Sequence, residues 1–161
     1  MGRVDPKVVL RDLLNDEFDV GNVAGTSSVD IRTGWRDDRL DNLQVTASND
    51  DESARSDTGY TGLNSSRRRG TIQANIWADE RVVSANPKKV VEDTRDEVDD
   101  VLSEFGSEIA DYSFTSGINP SNYSYLSYLG STYLPEEPDN DEEPIVYRYL
   151  VNVGYEYLRE L

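Results

Sequence analysis

Thr71-Ile72-Gln73-Ala74-Asn75-Ile76-Trp77-Ala78, followed at Asn86-Pro87 by a long charged stretch ending at Phe105-Gly106, decides how this chain folds. In the first part Ile72, Ala74 and Ile76 alternate with Gln73, Asn75 and Trp77, the two-residue period of a strand with one well-buried face. A short polar link, Asp79 to Ala85, leads to Asn86-Pro87, an N-cap residue followed by proline at the first helical position. Val90, Val91, Thr94, Val98, Val101, Leu102 and Phe105 then recur at steps of three and four, with Asp, Glu and Arg on the remaining positions. This is an amphipathic helix of about five turns at ~3.6 residues per turn. Gly106 stands where a left-handed glycine ends a helix.

Working outward, Asp5-Pro6 repeats the start signal, and Val9, Leu10, Leu13 and Leu14 form an apolar stripe, so a first helix is expected over residues 6 to 17. Val29 and Ile31 alternate within Ser28–Thr33, and Leu43, Val45 and Ala47 alternate within Asn42–Ser48, giving two short strands. Arg36-Asp37-Asp38-Arg39 between them reads as a charged, hairpin-like tip. Residues 49 to 69 hold almost no core material and read as a mobile arm. Tyr123 to Leu134 predicts a tyrosine-rich strand with an irregularity near Gly130. Pro135 to Pro144 is an acidic, proline-bounded loop, also expected to be mobile. The last strand sets Ile145, Tyr147, Tyr149, Val151, Val153, Tyr155 and Tyr157 on one side, with Arg148, Leu150, Asn152 and Glu156 on the other. Antiparallel pairing of the last two strands is the simplest topology. The expected fold is a single α+β domain over residues 1–161. It is an antiparallel sheet of about five strands, with two main helices packed on one face and long loops.

Composition narrows the function. The 161 residues include 32 Asp and Glu against 16 Lys and Arg, a net charge of −16, and Arg exceeds Lys by 13 to 3. Such a surface suits strong brine, where salt screens self-repulsion while carboxylates hold water. The chain reads as the product of a salt-loving archaeon or its virus. Cysteine and histidine are absent, which removes thiol nucleophiles, histidine bases, disulfides and Cys/His zinc sites. Phosphate-cradling glycine loops and nucleophile elbows are missing too. Carboxylate runs at Asn49–Glu52 and Asp139–Glu143 lack the glycine and twelfth-position glutamate of a calcium loop, and read as solvated surface. No enzyme, cofactor or metal is expected. The N-terminus lacks the apolar core of a signal peptide, and no apolar run is long enough to span a membrane.

Two groups stand out as a candidate subunit or partner interface. Arg67, Arg68 and Arg69 form a basic cluster in an acidic chain, suited to carboxylates on a neighbouring copy and less well to nucleic acid, which the net charge repels. Tyr147, Tyr149, Tyr155 and Tyr157 line a strand whose two faces offer more apolar surface than one helix layer needs.

The layout resembles the tail-terminator, or tail-completion, proteins of long-tailed viruses of bacteria and archaea. The likeness runs through the N-terminal helix, the strand at Thr33-Gly34-Trp35, Gly70–Ala78 feeding the helix Pro87–Phe105, and Ile145–Val153 with its arginine. The tyrosine-rich 123–134 segment and Arg67–Arg69 stand outside that layout. The resemblance implies a homo-oligomeric ring, usually a hexamer, in the neck of a virion assembled in the host cytoplasm. Such a ring ends tail-tube polymerisation, contacts tail-tube and head-tail connector proteins, and lies close to DNA in its lumen. A head-completion adaptor or stopper is the alternative within the neck. A carboxylate-metal hydrolase and a host binding module are alternatives of other classes. The halophilic reading has a direct check: the thermal midpoint followed by circular dichroism should fall steadily as salt is withdrawn from molar concentrations, and a midpoint independent of salt would contradict it.

Overall fold

The structure, a computed structural model, describes residues 4–54, 65–135 and 144–160. Helix α1 spans Pro6–Glu17, and the Asp5 side chain accepts the Lys7 backbone N–H at 2.9 Å, closing the first turn. Strands β1 (Val29–Thr33), β2 (Leu43–Ala54) and β3 (Ser65–Ala78) lead to helix α2 (Pro87–Phe105), whose N-cap Asn86 accepts from Lys88 at 3.0 Å. Strands β4 (Tyr123–Tyr133) and β5 (Tyr147–Glu160) complete one five-stranded sheet in the order β1-β2-β3-β5-β4. Among the described residues, no helix is long and apolar enough to cross a membrane.

The sheet is mixed and mostly antiparallel. β1 and β2 run parallel, with Val29 opposite Leu43 and Thr33 opposite Ala47, so the hairpin expected at Arg36–Arg39 is corrected to a crossover. Alternation reveals a strand and its faces but carries no direction. The tip also lacks the Asn-Gly or Asp-Gly pair that favours a two-residue turn. Residues 34–42 instead travel back across the sheet, in fewer than the dozen or so residues a parallel connection usually takes.

Both helices pack on one face. Leu10, Leu13 and Leu14 of α1 and Val90, Val91, Val98 and Leu102 of α2 share a single buried cluster with Val45, Ile72, Ile76, Val151 and Val153 of the strands. A bulge between Ser48 and Asp51, where Asn49 takes a φ of 56°, shifts the β2 register. Asparagine tolerates this left-handed backbone better than most residues. Beyond the bulge Glu52 lies opposite Gly70, and Gly70 lies opposite Tyr155. The Tyr155 ring therefore lies across the glycine, and its hydroxyl meets Asp50 and, at 3.2 Å, Glu52. A Cβ at Gly70 would come within 2.6 Å of that hydroxyl and 2.3 Å of the Asp51 carbonyl, so the close approach requires glycine.

The arm expected over residues 49–69 is also corrected. Residues 49–54 belong to β2 and 65–69 to β3, where they pair with β2 on one side and β5 on the other. Backbone ladders hold these residues, so no apolar pattern is needed to place them. The centre of that segment, 55–64, and the acidic loop at 136–143 lie outside the described residues.

Gly106 has a different task from the one its position suggests. Its φ is −66°, within the right-handed helical region, and the chain passes directly into a 3₁₀ turn over Gly106–Asp111. The glycine is there because the Leu126 carbonyl oxygen of β4 lies 2.0 Å from where a Cβ would stand. Gly106→Ala separates the two roles by sign. Helix propensity alone would stabilise the chain by about 1 kcal/mol. The contact with β4 backbone instead predicts a loss of about 1–3 kcal/mol, read from the urea midpoint.

Candidate functional site

The face of the sheet turned away from the helices is set by the other half of each alternation. Gln44, Thr46 and Ser48 of β2 lie beside Trp77, Asn75 and Gln73 of β3, which lie beside Arg148, Leu150 and Asn152 of β5. One end of this face is covered by the crossover, residues 34–42. Leu40 packs with Trp77 and Val146, and Trp35 meets Trp77 edge-on with ring centroids 4.9 Å apart. The Arg148 guanidinium carbon lies 4.7 Å from the Trp77 ring centre and 5.1 Å from that of Trp35. Arg148 also donates through Nε and Nη2 to Asn75 Oδ1 at 3.0 and 2.6 Å. Asn75 in turn donates to Ser48 Oγ at 3.0 Å, and the Trp77 indole donates to Thr46 Oγ1 at 3.2 Å. Asn75, Trp77 and Arg148 are each hydrogen-bonded here, so the stack is stiff as well as close-packed.

The crossover is tied down at its root by charge. Arg32 on β1 forks onto Asp37 at 3.0 and 2.9 Å and also contacts Asp30. Hydrogen bonds donated to Asp30 and then to Asp37 hold the Arg32 guanidinium above its usual range. The hydrogen bond from Arg32 holds the Asp37 carboxyl below its own. Trp35 rides on this scaffold and remains 54% exposed. An exposed tryptophan fixed from below is the kind of anchor that dominates protein contacts.

Beyond the crossover the same face is open. Leu129 lies over Gly154 and is 57% exposed, and Leu158 is 38% exposed. Leu150, Asn152, Thr71 and Gln73 are half-buried between them. Arg67 stands opposite Leu158 with Nη1 3.6 Å from the buried Glu156 carboxylate, and Arg69 stands opposite Glu156 and is exposed. The result is a strip of aliphatic and amide side chains flanked by arginine, with Trp35 at its far end.

The residues singled out from sequence divide here. Successive strand residues point to opposite faces, so Arg67 and Arg69 reach the open face while Arg68, opposite Tyr157, is turned to the helix side. The basic run is two arginines and one, not a single patch. Tyr149, Tyr155 and Tyr157 are buried in the chain's own core at 8%, 0% and 1% exposure, which corrects their reading as interface residues. Tyr155 and Tyr157 spend their hydroxyls on Asp50 and Glu52, and Tyr149 lies under Arg95. Tyr147 is half-buried. Trp35, Leu129 and Leu158 are not among the interface residues that the sequence singles out. The one available signal was Trp77 on the polar side of its strand, a large ring that demands cover.

Chemically, this face offers aliphatic, amide and guanidinium groups. Among the described residues, no group of three or more acidic side chains is placed to hold a metal. The Asn49–Glu52 run is drawn into the sheet through Tyr155 and Tyr157, and Asp139–Glu143 lies outside the described residues. No protein-family model matches the chain, and no curated protein matches it in sequence.

Arg148→Lys tests the stack while keeping the charge. Lysine can neither fork onto Asn75 nor lie flat between two rings. The unfolding free energy should fall by about 1–3 kcal/mol, with a change in tryptophan emission in the folded state. An unchanged urea midpoint would show that the guanidinium plane is dispensable.

Proposed function

We propose that this chain is a structural virion subunit that closes into a ring at the head-proximal end of a viral tail, ends tail-tube polymerisation and joins tail to head. What supports an assembly role is the open sheet face. It joins two exposed leucines and two arginines on the strands with a half-exposed tryptophan on the crossover, packed against the sheet. Central aromatic and arginine anchors with aliphatic neighbours are the composition of contact surfaces between proteins. The terminator role within that class rests on the order of elements: a leading helix, strands, the strand–helix unit Ser65–Phe105, and a closing antiparallel pair.

The mechanism is complementarity of shape and charge, without bond chemistry. A contact between unlike surfaces repeats from copy to copy, and it closes into a ring when its rotation divides a full turn. The acidic surface and the scarcity of lysine fit a virion exposed to brine.

Light scattering on the purified protein in molar salt should give one discrete oligomer, with a hexamer the expected size. Co-sedimentation should then show binding to assembled tail tubes from the same virus. Binding to the portal instead of the tube would reassign the chain to the adaptor or stopper class. A monomer that binds neither would overturn the neck reading.

A further inference from the structure

Resting on the ring reading, we infer that the open sheet face docks onto the acidic outer side of α2 in a second copy, head to tail. The first ground is the distribution of charge. From Asp96 to Tyr147 the chain contains no lysine or arginine. The later half of α2 presents Asp96, Asp99, Asp100 and Glu104 to solvent or half-buried, and its last turn has no basic residue. Carboxylates near a helix C-terminus oppose the helix dipole, so helix stability does not account for them. The basic residues of α2, Lys88, Lys89 and Arg95, all sit in its first half. There Lys88 lies over Tyr133, Lys89 pairs with Asp93, and Arg95 pairs with Asp96 above Tyr149.

The second ground is position. Arg67 and Arg69 lie on the face of the sheet opposite the helices, so they and the α2 carboxylates are separated by the sheet and cannot meet within one chain. Between chains they can. A two-fold contact of open face on open face would leave the α2 carboxylates unmet, and helix on helix would set acid against acid. With a net charge of −16 on every copy, the unlike pairing sets a near-neutral, arginine-bearing face against the acidic one, and like-charge juxtaposition disfavours helix on helix.

Salt leaves this orientation in place. At 1 M the Debye length is about 3 Å, so distant repulsion is screened while contact pairs persist. Trp35, Leu129 and Leu158 then supply burial, which excluded salts strengthen. Charge sets which surfaces meet, and apolar area holds them.

The absence of cysteine allows a direct test. Leu129→Cys on the open face and Asp100→Cys on α2 are prepared separately, each checked for folding by circular dichroism, and treated with a short bis-maleimide in molar salt. Each variant alone should give no cross-linked dimer, whereas a mixture of the two should. Arg67→Glu/Arg69→Glu in the Leu129→Cys chain should weaken association roughly tenfold or more, and Asp96→Arg/Asp100→Arg in wild-type background should restore assembly with it. Cross-linking of either single variant to itself would overturn the head-to-tail pairing. So would a wild-type oligomer of ring size whose mixed variants never cross-link, an outcome that leaves the ring reading standing. A wild-type monomer at every concentration would instead remove the ring reading, and this inference with it. Loss of DNA duplex binding in Arg67→Glu/Arg69→Glu with self-association unchanged would assign the face to nucleic acid.

Discussion

A strand with neighbours on both sides has two faces, and two helices can cover only one of them. That constraint governs this molecule. β3 sits at the centre of the sheet with Ile72, Ala74 and Ile76 beneath the helices and Gln73, Asn75 and Trp77 on the other side. The second face therefore needs some other cover. Residues 34–42 supply it at one end, held by the Trp35–Arg148–Trp77 stack, and nothing among the described residues supplies it at the other. The parallel β1–β2 pair follows from the same arrangement, since a chain that crosses back over the sheet must start its next strand at the end where the last began.

What was legible in the sequence was what local chemistry decides. Asp5-Pro6 and Asn86-Pro87 mark both helix starts because capping and proline act within one turn, and both helices begin where those pairs place them. Alternation gave the faces of β3 and β5, and the register break between Tyr128 and Gly130 lies at the expected irregularity. What escaped was non-local. The direction of β2, the length of the β2–β3 ladder and the reason for Gly106 each depend on a backbone group that arrives from a distant part of the chain. The tyrosines illustrate the same point. Their side of β5 was correct, but whether a ring is core or surface depends on what lies above it, and Tyr155 is covered because Gly70 leaves it room.

The carboxylates fall into two populations with different work. Those inside tie segments together, each with donors to meet its oxygens. Asp12 on α1 accepts from Arg11 and from Ser116, both at 2.8 Å. Glu97 on α2 accepts from Asn22 at 2.7 Å and from the Asp19 backbone at 3.3 Å. Asp79, fully buried after β3, is held by the Arg81 backbone and guanidinium. An arginine meets Asp12, Asp79 and the buried Glu156, and amide and backbone donors meet Glu97, which keeps the cost of desolvation in check. On the outside of α2, Asp93, Asp96 and Asp99 are met by Lys89, Arg95 and Ser103, and the acid in excess of these leaves the helix side negative.

Strong like charge and self-assembly are compatible only if the molecule is polar in the electrostatic sense. Uniformly spread, a charge of −16 would oppose every approach of one copy to another. Here the fold sorts it. The sheet stands between the acidic flank of α2 and a face whose charged residues include Arg32, Arg36, Arg67, Arg69 and Arg148. Several of these are matched by their own carboxylates, so that face is close to neutral rather than basic, and in an acidic molecule near-neutrality already marks the side of least repulsion. The sorting follows from strand alternation, which sent Arg67 and Arg69 one way and Arg68 the other, and from the choice of one face for both helices. Two surfaces separated by a sheet point in different directions, so a contact between them carries each added copy onward instead of ending at a pair. Such a contact must either close on itself or keep growing, and the angle between the two surfaces decides which.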